Sequence, residues 1–435
     1  MACVALGVTL GLAMAAGGPA LGRLWSGLAG GGARTMRAHA ARMDLDHPNW
    51  VATWAAAPQA AGVAGGLGDR TVRDVIYTSV GGAAIRVRVS NRYGTLPLEV
   101  GAASVGTVLD RAGLLPAATR PLAFGPQQKA SVRIPAGATV TSDPVSYQVA
   151  PLTELAVSLY LPAITGPVTG HSLAQQDSYI AVGDHADTSR AAPYDVTEHA
   201  WYFVTEIDVQ SVTADGTIVA FGDSITDGVG SHAGSDDRWP NYLARRLEAA
   251  YGDRAPGVVD EGISGNRVLT TSACGGGPSA LARFSRDALG VTGVRAVILL
   301  EGINDVNFAT GALGGCATRA TRAVTASDIE GGYRRLIAMA HARGVPVYLG
   351  TLTPAAGALT RAGASMRASV NRWILASAAA RISAGVVNFA GAVADPGDPA
   401  YLDPASNSGD GLHPDDLGYS QMAAAVPLAW TGSGT

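Results

Sequence analysis

Residues 218–231 read IVAFGDSITDGVGS, and how this stretch is read decides the fold. An apolar run, Ile218 to Phe221, passes straight into Gly222-Asp223-Ser224, and the chain then turns polar and glycine-rich. A run without polar alternation is what a strand covered on both faces looks like, as in a parallel sheet. The serine at its mouth has two readings. Either the strand delivers a nucleophile to the edge of a sheet, or Asp223 and Ser224 only cap the helix that follows. The stretch alone does not separate them, and the segments around it have to.

Downstream, strand-like runs alternate with helix-length segments. TIVAF leads to a helix over 239–251 and GVVDEG to a long loop. RAVILLEG leads to a helix near 327–343, VPVYLGTL to one near 363–381, and GVVNFA to a loop and a last helix near 415–426. This repetition predicts a doubly wound α/β domain over residues 214–435. Sites in such sheets form just beyond the carboxyl ends of the strands. Four polar segments stand there: Ser224 after the first strand, GISGN (262–266) after the second, EGIND (301–305) after the third, and DGLHPDD (410–416) after the fifth.

Their residue types belong to one chemistry. A serine hydroxyl is a weak nucleophile until a base takes its proton, and the base needs a carboxylate to hold its tautomer. His413 is the candidate base, and Asp410, three residues earlier, can reach its far ring nitrogen. Attack on an acyl carbonyl builds an oxyanion that needs preorganised donors. The N–H of Ser224, the N–H of Gly265 and the amide of Asn304 are the candidates. Asp223 and Asp305 read as structural, holding loops through their own side chains, and Asp227 as a solvent or loop residue.

The ordered segments GDSITDG, ISGN, GIND and DGLHP resemble the four blocks of the SGNH/GDSL hydrolase family, which carry Ser, Gly, Asn and His. The resemblance covers about residues 216–430. It implies a flavodoxin-like three-layer α/β fold and serine-esterase chemistry without a cofactor, acting on acetylated sugars, lipids or small esters. It extends more loosely to secreted bacterial members with a β-rich N-terminal domain, described as lipases or xylan-esterase-like proteins. Block two departs from the usual pattern: Asp260 and Glu261 precede the ISG core, an acidic pair placed to tune substrate choice.

Upstream of the α/β half the rhythm differs. Residues 49–213 hold short β-branched runs such as TVRDVIYTSV, AAIRVRVSN and WYFVTEIDVQ, separated by Gly, Pro, Asn and Asp. In IRVRV, arginines alternate with apolar residues, the period of a strand with one wet face. An antiparallel β-sandwich or jelly-roll-like domain follows, either binding polysaccharide or walling the cleft. Trp201, Tyr202 and Phe203 are expected in its core. GHSLA (170–174) imitates the nucleophile elbow of another esterase fold, but Ala174 replaces the last glycine and no strand-turn-helix surrounds Ser172. His171, His185, His199, His232 and His341 read as ordinary surface or core residues.

With 47% hydrophobic and 15% charged residues over 435 positions, the chain has a large core to bury. A net charge of −4 gives no basic surface for nucleic acid. The apolar run from Cys3 to Ala16 fits a secretory h-region with a weak n-region, with Ala13–Ala15 and Ala38–Ala40 as candidate cleavage sites. Residues 1–48 are read as leader and linker, and the protein as secreted. No later run reaches about eighteen apolar residues, so no membrane insertion is expected. An even pair of cysteines, Cys274 and Cys316, remains outside the leader, and a disulfide between them is expected. No CxxC, HExxH or His cluster is present, so no metal is expected. The reading from another class is a carbohydrate- or surface-binding protein with a silent hydrolase domain.

Overall fold

The computed structural model describes residues 49–61, 66–272, 276–311 and 323–430, and all of them fall in one compact unit. The leader, its candidate cleavage sites, Cys274 and Cys316 lie outside the described residues. Among the described residues no helix is long and apolar enough to cross a membrane.

The N-terminal half is built from antiparallel sheets. In one, strand Gly82–Ser90 pairs with Val204–Gln210, which pairs in turn with Trp50–Ala55. In the other, strand Arg70–Tyr77 lies between Glu154–Leu161 and Ser178–Val182. The two sheets share a core in which Ile85, Val87 and Val89 meet Ile76, Leu155, Val157 and Leu159. Each such buried side chain contributes about 1.5–3 kcal/mol. A third, small sheet joins Val168–His171 to Trp201–Tyr202 and Gln59–Ala61. Trp201, Tyr202 and Phe203 are buried, as expected.

The alternation in IRVRV is present, but its polar face is not simply wet. Arg86 and Arg88 lie opposite Asp208 and Glu206 on the neighbouring strand and form ion pairs with them. Both acids are buried. Thr292, in the loop leading into a strand of the α/β half, donates its N–H to Glu206 at 3.0 Å and its hydroxyl to Asp208 at 3.0 Å. The face expected in water is therefore docked against the second half of the chain.

That half carries five parallel strands: β1 Thr217–Gly222, β2 Gly257–Gly262, β3 Val294–Leu300, β4 Val347–Gly350 and β5 Gly385–Val387. They run in the order β2-β1-β3-β4-β5, a doubly wound arrangement whose crevice opens at the carboxyl end of β1, where the connections diverge. The helices are α1 Ser224–Asp227, α2 Trp239–Tyr251, α3 Ala280–Asp287, α4 Ile303–Thr310, α5 Ala326–His341, α6 Arg361–Ser377, α7 Phe389–Ala392 and α8 Asp416–Ala424. In α2, Trp239, Leu243 and Leu247 form one buried stripe, and Pro240 sits in the first turn, where its missing N–H has no helical partner to lose.

The range of α2 matches the sequence pattern. Helix α6 starts two residues before its expected first position, because the Thr360 side chain accepts the Gly363 N–H and caps it there. Helix α3 lies in what reads as a long loop. Its buried positions are Ala280, Arg283, Phe284 and Asp287, so two charged residues stand where hydropathy expects apolar ones. The segment 301–305, expected as a polar strand end, runs into α4 from Ile303.

Strand Trp50–Ala55 joins the halves. Val51 and Trp54 point into the β core, while Ala52 and Ala55 belong to the core of the α/β half. The Ala52 N–H donates to the Thr217 hydroxyl at the start of β1, at 3.0 Å.

Candidate active site

Ser224 opens α1 immediately after β1. Gly222 is required there by close approach: a Cβ on it would lie 2.2 Å from the Leu300 carbonyl oxygen of β3. Asp223 caps the helix, accepting the Ile225 N–H at 3.1 Å. Asp223 thus takes the capping role, and Ser224, itself buried, faces a histidine. Nε2 of His413 stands 2.9 Å from Ser224 Oγ. Nδ1 of the same ring donates to Asp410 Oδ2 at 2.5 Å.

The Asp410 loop is ordered by its own carboxylate. Oδ1 accepts the N–H groups of Leu412 and His413, each at 2.8 Å. Partial burial alone would raise the Asp410 pKa. The hydrogen bonds from the His413 ring and from those two N–H groups, with the His413 charge, hold it below the ordinary carboxylate value. Asp410 thus faces Nδ1 as an anion, and Nε2, on the other side of the ring, faces the serine hydroxyl.

Gly265 and Asn304 come to the same end of the sheet. Gly265 has φ +76°, a backbone conformation that a side chain disfavours. The Asn304 amide donates to the Asn266 carbonyl at 2.9 Å, so the head of α4 is tied to the residue after Gly265. Asn266 in turn donates to Pro278 O at 2.7 Å and accepts Arg283 Nε at 2.9 Å.

Arg283 is the hub beneath these loops. It is fully buried, donates to Glu261 O and Gly222 O at 2.8 Å each, and lies 3.8 Å from the Phe221 ring centroid. It therefore ties together the carboxyl ends of β1 and β2 and the Asn266 loop. Glu301 and Asp287 face it, each at 3.6 Å. Burial pushes Glu301 well above the usual carboxylate range, and the neighbouring Asp223 adds to the shift. Asp305 receives the N–H groups of Val268 and Leu269, the structural role expected of it.

Three expectations need correction. Asp227 is not a solvent or loop residue. It is buried, receives the Ser264 N–H on Oδ2 at 2.8 Å, and meets His171 Nε2 with Oδ1 at 2.9 Å. His171, read as ordinary, is the buried partner that reaches it from the β-rich half. Asp260 and Glu261 do not offer their charges to a substrate. Asp260 accepts the Gly262 N–H at 2.8 Å and faces Arg238, and Glu261 is buried beside Arg283 and Asp287. Nothing in the linear pattern could pair His171 with Asp227, because the link spans two different sheets. Of the other candidates, Ser172 is exposed, and His199 and His232 pair with Asp177 and Asp416 at the surface. Among the described residues no group of three or more His, Cys, Asp or Glu side chains is arranged to hold a metal ion.

Residues 220–421 match the model of the GDSL-like lipase/acylhydrolase family. No curated protein matches the chain. Among solved structures, a catalytic mutant of an acetylxylan esterase from Geobacillus stearothermophilus is similar over 52% of this chain and 98% of its own, at 21% identity and a TM-score of 0.40. A GDSL-like lipase from Bacteroides thetaiotaomicron is similar over 49% of this chain and 86% of its own, at 23% identity and a TM-score of 0.36. An alpha/beta hydrolase enzyme from the metagenome of Lake Arreo, Spain, is similar over 50% and 96%, at 25% identity and 0.37. Residues 220–421 are a GDSL-like lipase/acylhydrolase domain, and that domain makes the protein a carboxylic ester hydrolase.

Proposed function

We propose that the protein is a secreted serine esterase in which Ser224, His413 and Asp410 form the catalytic triad. The observation that carries this reading is the continuous chain Ser224 Oγ to His413 Nε2, 2.9 Å, and His413 Nδ1 to Asp410, 2.5 Å. Those lengths lie within the reach a nucleophile–base–orienter set requires. His413 takes the Ser224 proton as Oγ attacks the ester carbonyl. The tetrahedral oxyanion is held by the Ser224 and Gly265 N–H groups and the Asn304 amide. Collapse expels the alcohol, which leaves with the proton carried by His413. Water, deprotonated by the same ring, then attacks the acyl-enzyme, and the acid and free Ser224 are released.

The substrate class follows from this chemistry and from the family: an ester of an acetylated carbohydrate, of a lipid or of a small alcohol. Export rests on the apolar leader, and the Cys274–Cys316 disulfide on the compartment that export implies. The β-rich half, with its two sheets around one core, is read as a sandwich of the jelly-roll kind.

The test is hydrolysis of p-nitrophenyl esters, acetate through palmitate, by the wild type and Ser224→Ala. The substitution is expected to lower kcat by at least about 10³-fold, and the chain-length profile separates an acetyl esterase from a lipase. Equal rates in the two proteins would sink the serine mechanism and bring the non-catalytic binding reading forward.

A further inference from the structure

We propose that His171, a residue of the β-rich half, is a positioning residue for the oxyanion loop: it orients Asp227, whose other oxygen holds Ser264 N–H and so sets the direction of the adjoining Gly265 N–H. The inference rests on the triad and oxyanion assignment above and adds to it a contribution from outside the hydrolase domain.

Both ring nitrogens of His171 face acceptors. Nδ1 lies 3.0 Å from the Ala57 carbonyl oxygen, which can only accept, so Nδ1 carries its proton. Nε2 lies 2.9 Å from Asp227 Oδ1. A neutral ring with its proton on Nδ1 would press a bare nitrogen against the carboxylate, whereas the doubly protonated ring donates to both partners. The charged groups acting on it are Asp227 and Asp260, the latter faced in turn by Arg238. Burial lowers the His171 pKa, but the Asp227 charge and hydrogen bond, the Ala57 carbonyl and Asp260 together carry it above the ordinary value. His171 is 3% exposed and Asp227 1%, so the pair is shielded from the water that would otherwise weaken it.

Asp227 ends the helix that Ser224 begins. Its Oδ2 receives the Ser264 N–H at 2.8 Å. One carboxylate therefore bridges the nucleophile's helix, the loop with the Gly265 donor and the β-rich half. The contact is tight from both sides: a Cβ on Gly262 would fall 2.3 Å from Asp227 N. Gln175, four residues after His171, grips the far end of the same helix, donating to Gly228 O at 2.8 Å. The ring of Trp201 lies against His171 with centroids 5.7 Å apart. The β-rich half thus contributes a hydrogen-bonded brace to the loop on which the oxyanion donors depend, and a donor displaced by about 1 Å can cost on the order of a hundredfold in rate.

The test uses the full chain, p-nitrophenyl acetate, and active sites counted with a fluorophosphonate. His171→Phe is expected to lower kcat per titrated site about ten- to a hundredfold with KM within about twofold. His171→Gln, which keeps an amide N–H for Asp227, is expected to lose less. Asp227→Asn is expected to show a similar loss, and the double variant His171→Phe/Asp227→Asn to be no slower than Asp227→Asn alone, since the histidine acts through the aspartate. A merely structural role would lower the number of titratable sites and leave kcat per site intact. Unchanged kcat per site in His171→Phe, or losses that multiply in the double variant, would overturn the inference. If His171→Phe yields no folded protein, Asp227→Asn decides, and a wild-type kcat per site in it would overturn the inference equally. Ser224→Ala separates the two failures. If it is inactive while His171→Phe is normal, only the brace falls. If Ser224→Ala keeps the wild-type rate, both readings fall.

Discussion

Asp223 shows what burial does to a single group next to Ser224. Removal from water pushes its pKa up to about 7, against the pull of the Ile225 N–H. Asp236 is driven the same way, up to about 6, by burial and in spite of Arg238. A carboxyl whose folded pKa lies above its unfolded value of about 3.9 binds more protons in the native state. Its stabilising contribution is whole below about pH 4 and is lost as pH rises toward the folded value. Asp410 has the opposite sign, being held below its ordinary value, and what it contributes is lost as pH falls. Asp236 offers a clean test because its φ of +53° suits asparagine, which tolerates the left-handed region. Asp236→Asn is expected to flatten the fall of unfolding free energy between pH 4 and 6, by at most about 1.4 kcal/mol per pH unit for one proton. Urea titrations across that range measure it, and an unchanged slope would show that Asp236 titrates normally.

At the scale of elements, α3 carries the site without touching it. Its Arg283 gathers Gly222 O, Glu261 O and the Asn266 side chain, so three loops take their positions from one guanidinium. Replacing it leaves Glu301 and the Gly222, Glu261 and Asn266 oxygens without their buried donor, while Asp287 keeps Arg286, a loss of about 3–5 kcal/mol in comparable buried pairs. Arg283→Met is therefore expected to destabilise the fold by about that much in urea unfolding, and a loss under about 1 kcal/mol would contradict the hub. Elsewhere the elements are locally determined. Helix α5 begins where the Thr325 side chain and Asp328 complete a capping box, a signal present in the linear pattern. Thr325→Ala is expected to cost about 1 kcal/mol of stability with kcat unchanged, checked by urea unfolding and the acetate assay.

For the molecule as a whole, the shared strand Trp50–Ala55 makes the two halves interdependent. Its alternate residues feed two cores, and Thr292 is bonded to the buried acids of the N-terminal sheet. Unfolding is expected as one cooperative transition, with tryptophan fluorescence and far-ultraviolet circular dichroism coincident. Two separated transitions would mean that the halves are independent. The parallel strands and helices α2, α5, α6 and α8 were legible in the sequence because unbroken apolar runs and amphipathic periods are local properties of a chain. The gathering of Ser224, Gly265, Asn304, Asp410 and His413 at one end of the sheet was legible too, because strand ends in such a sheet converge whatever lies between them. Helix α3 was not legible, since Arg283 and Asp287 look solvated until a fold buries and pairs them. The arginine face of IRVRV, the burial of Asp227 and the reach of His171 were invisible for the same reason. Each depends on a partner more than 50 residues away, as with the separation of 56 residues from His171 to Asp227. Periodicity reports which face of an element is buried, whereas the identity of the group that meets a buried charge exists only once the sheets have packed.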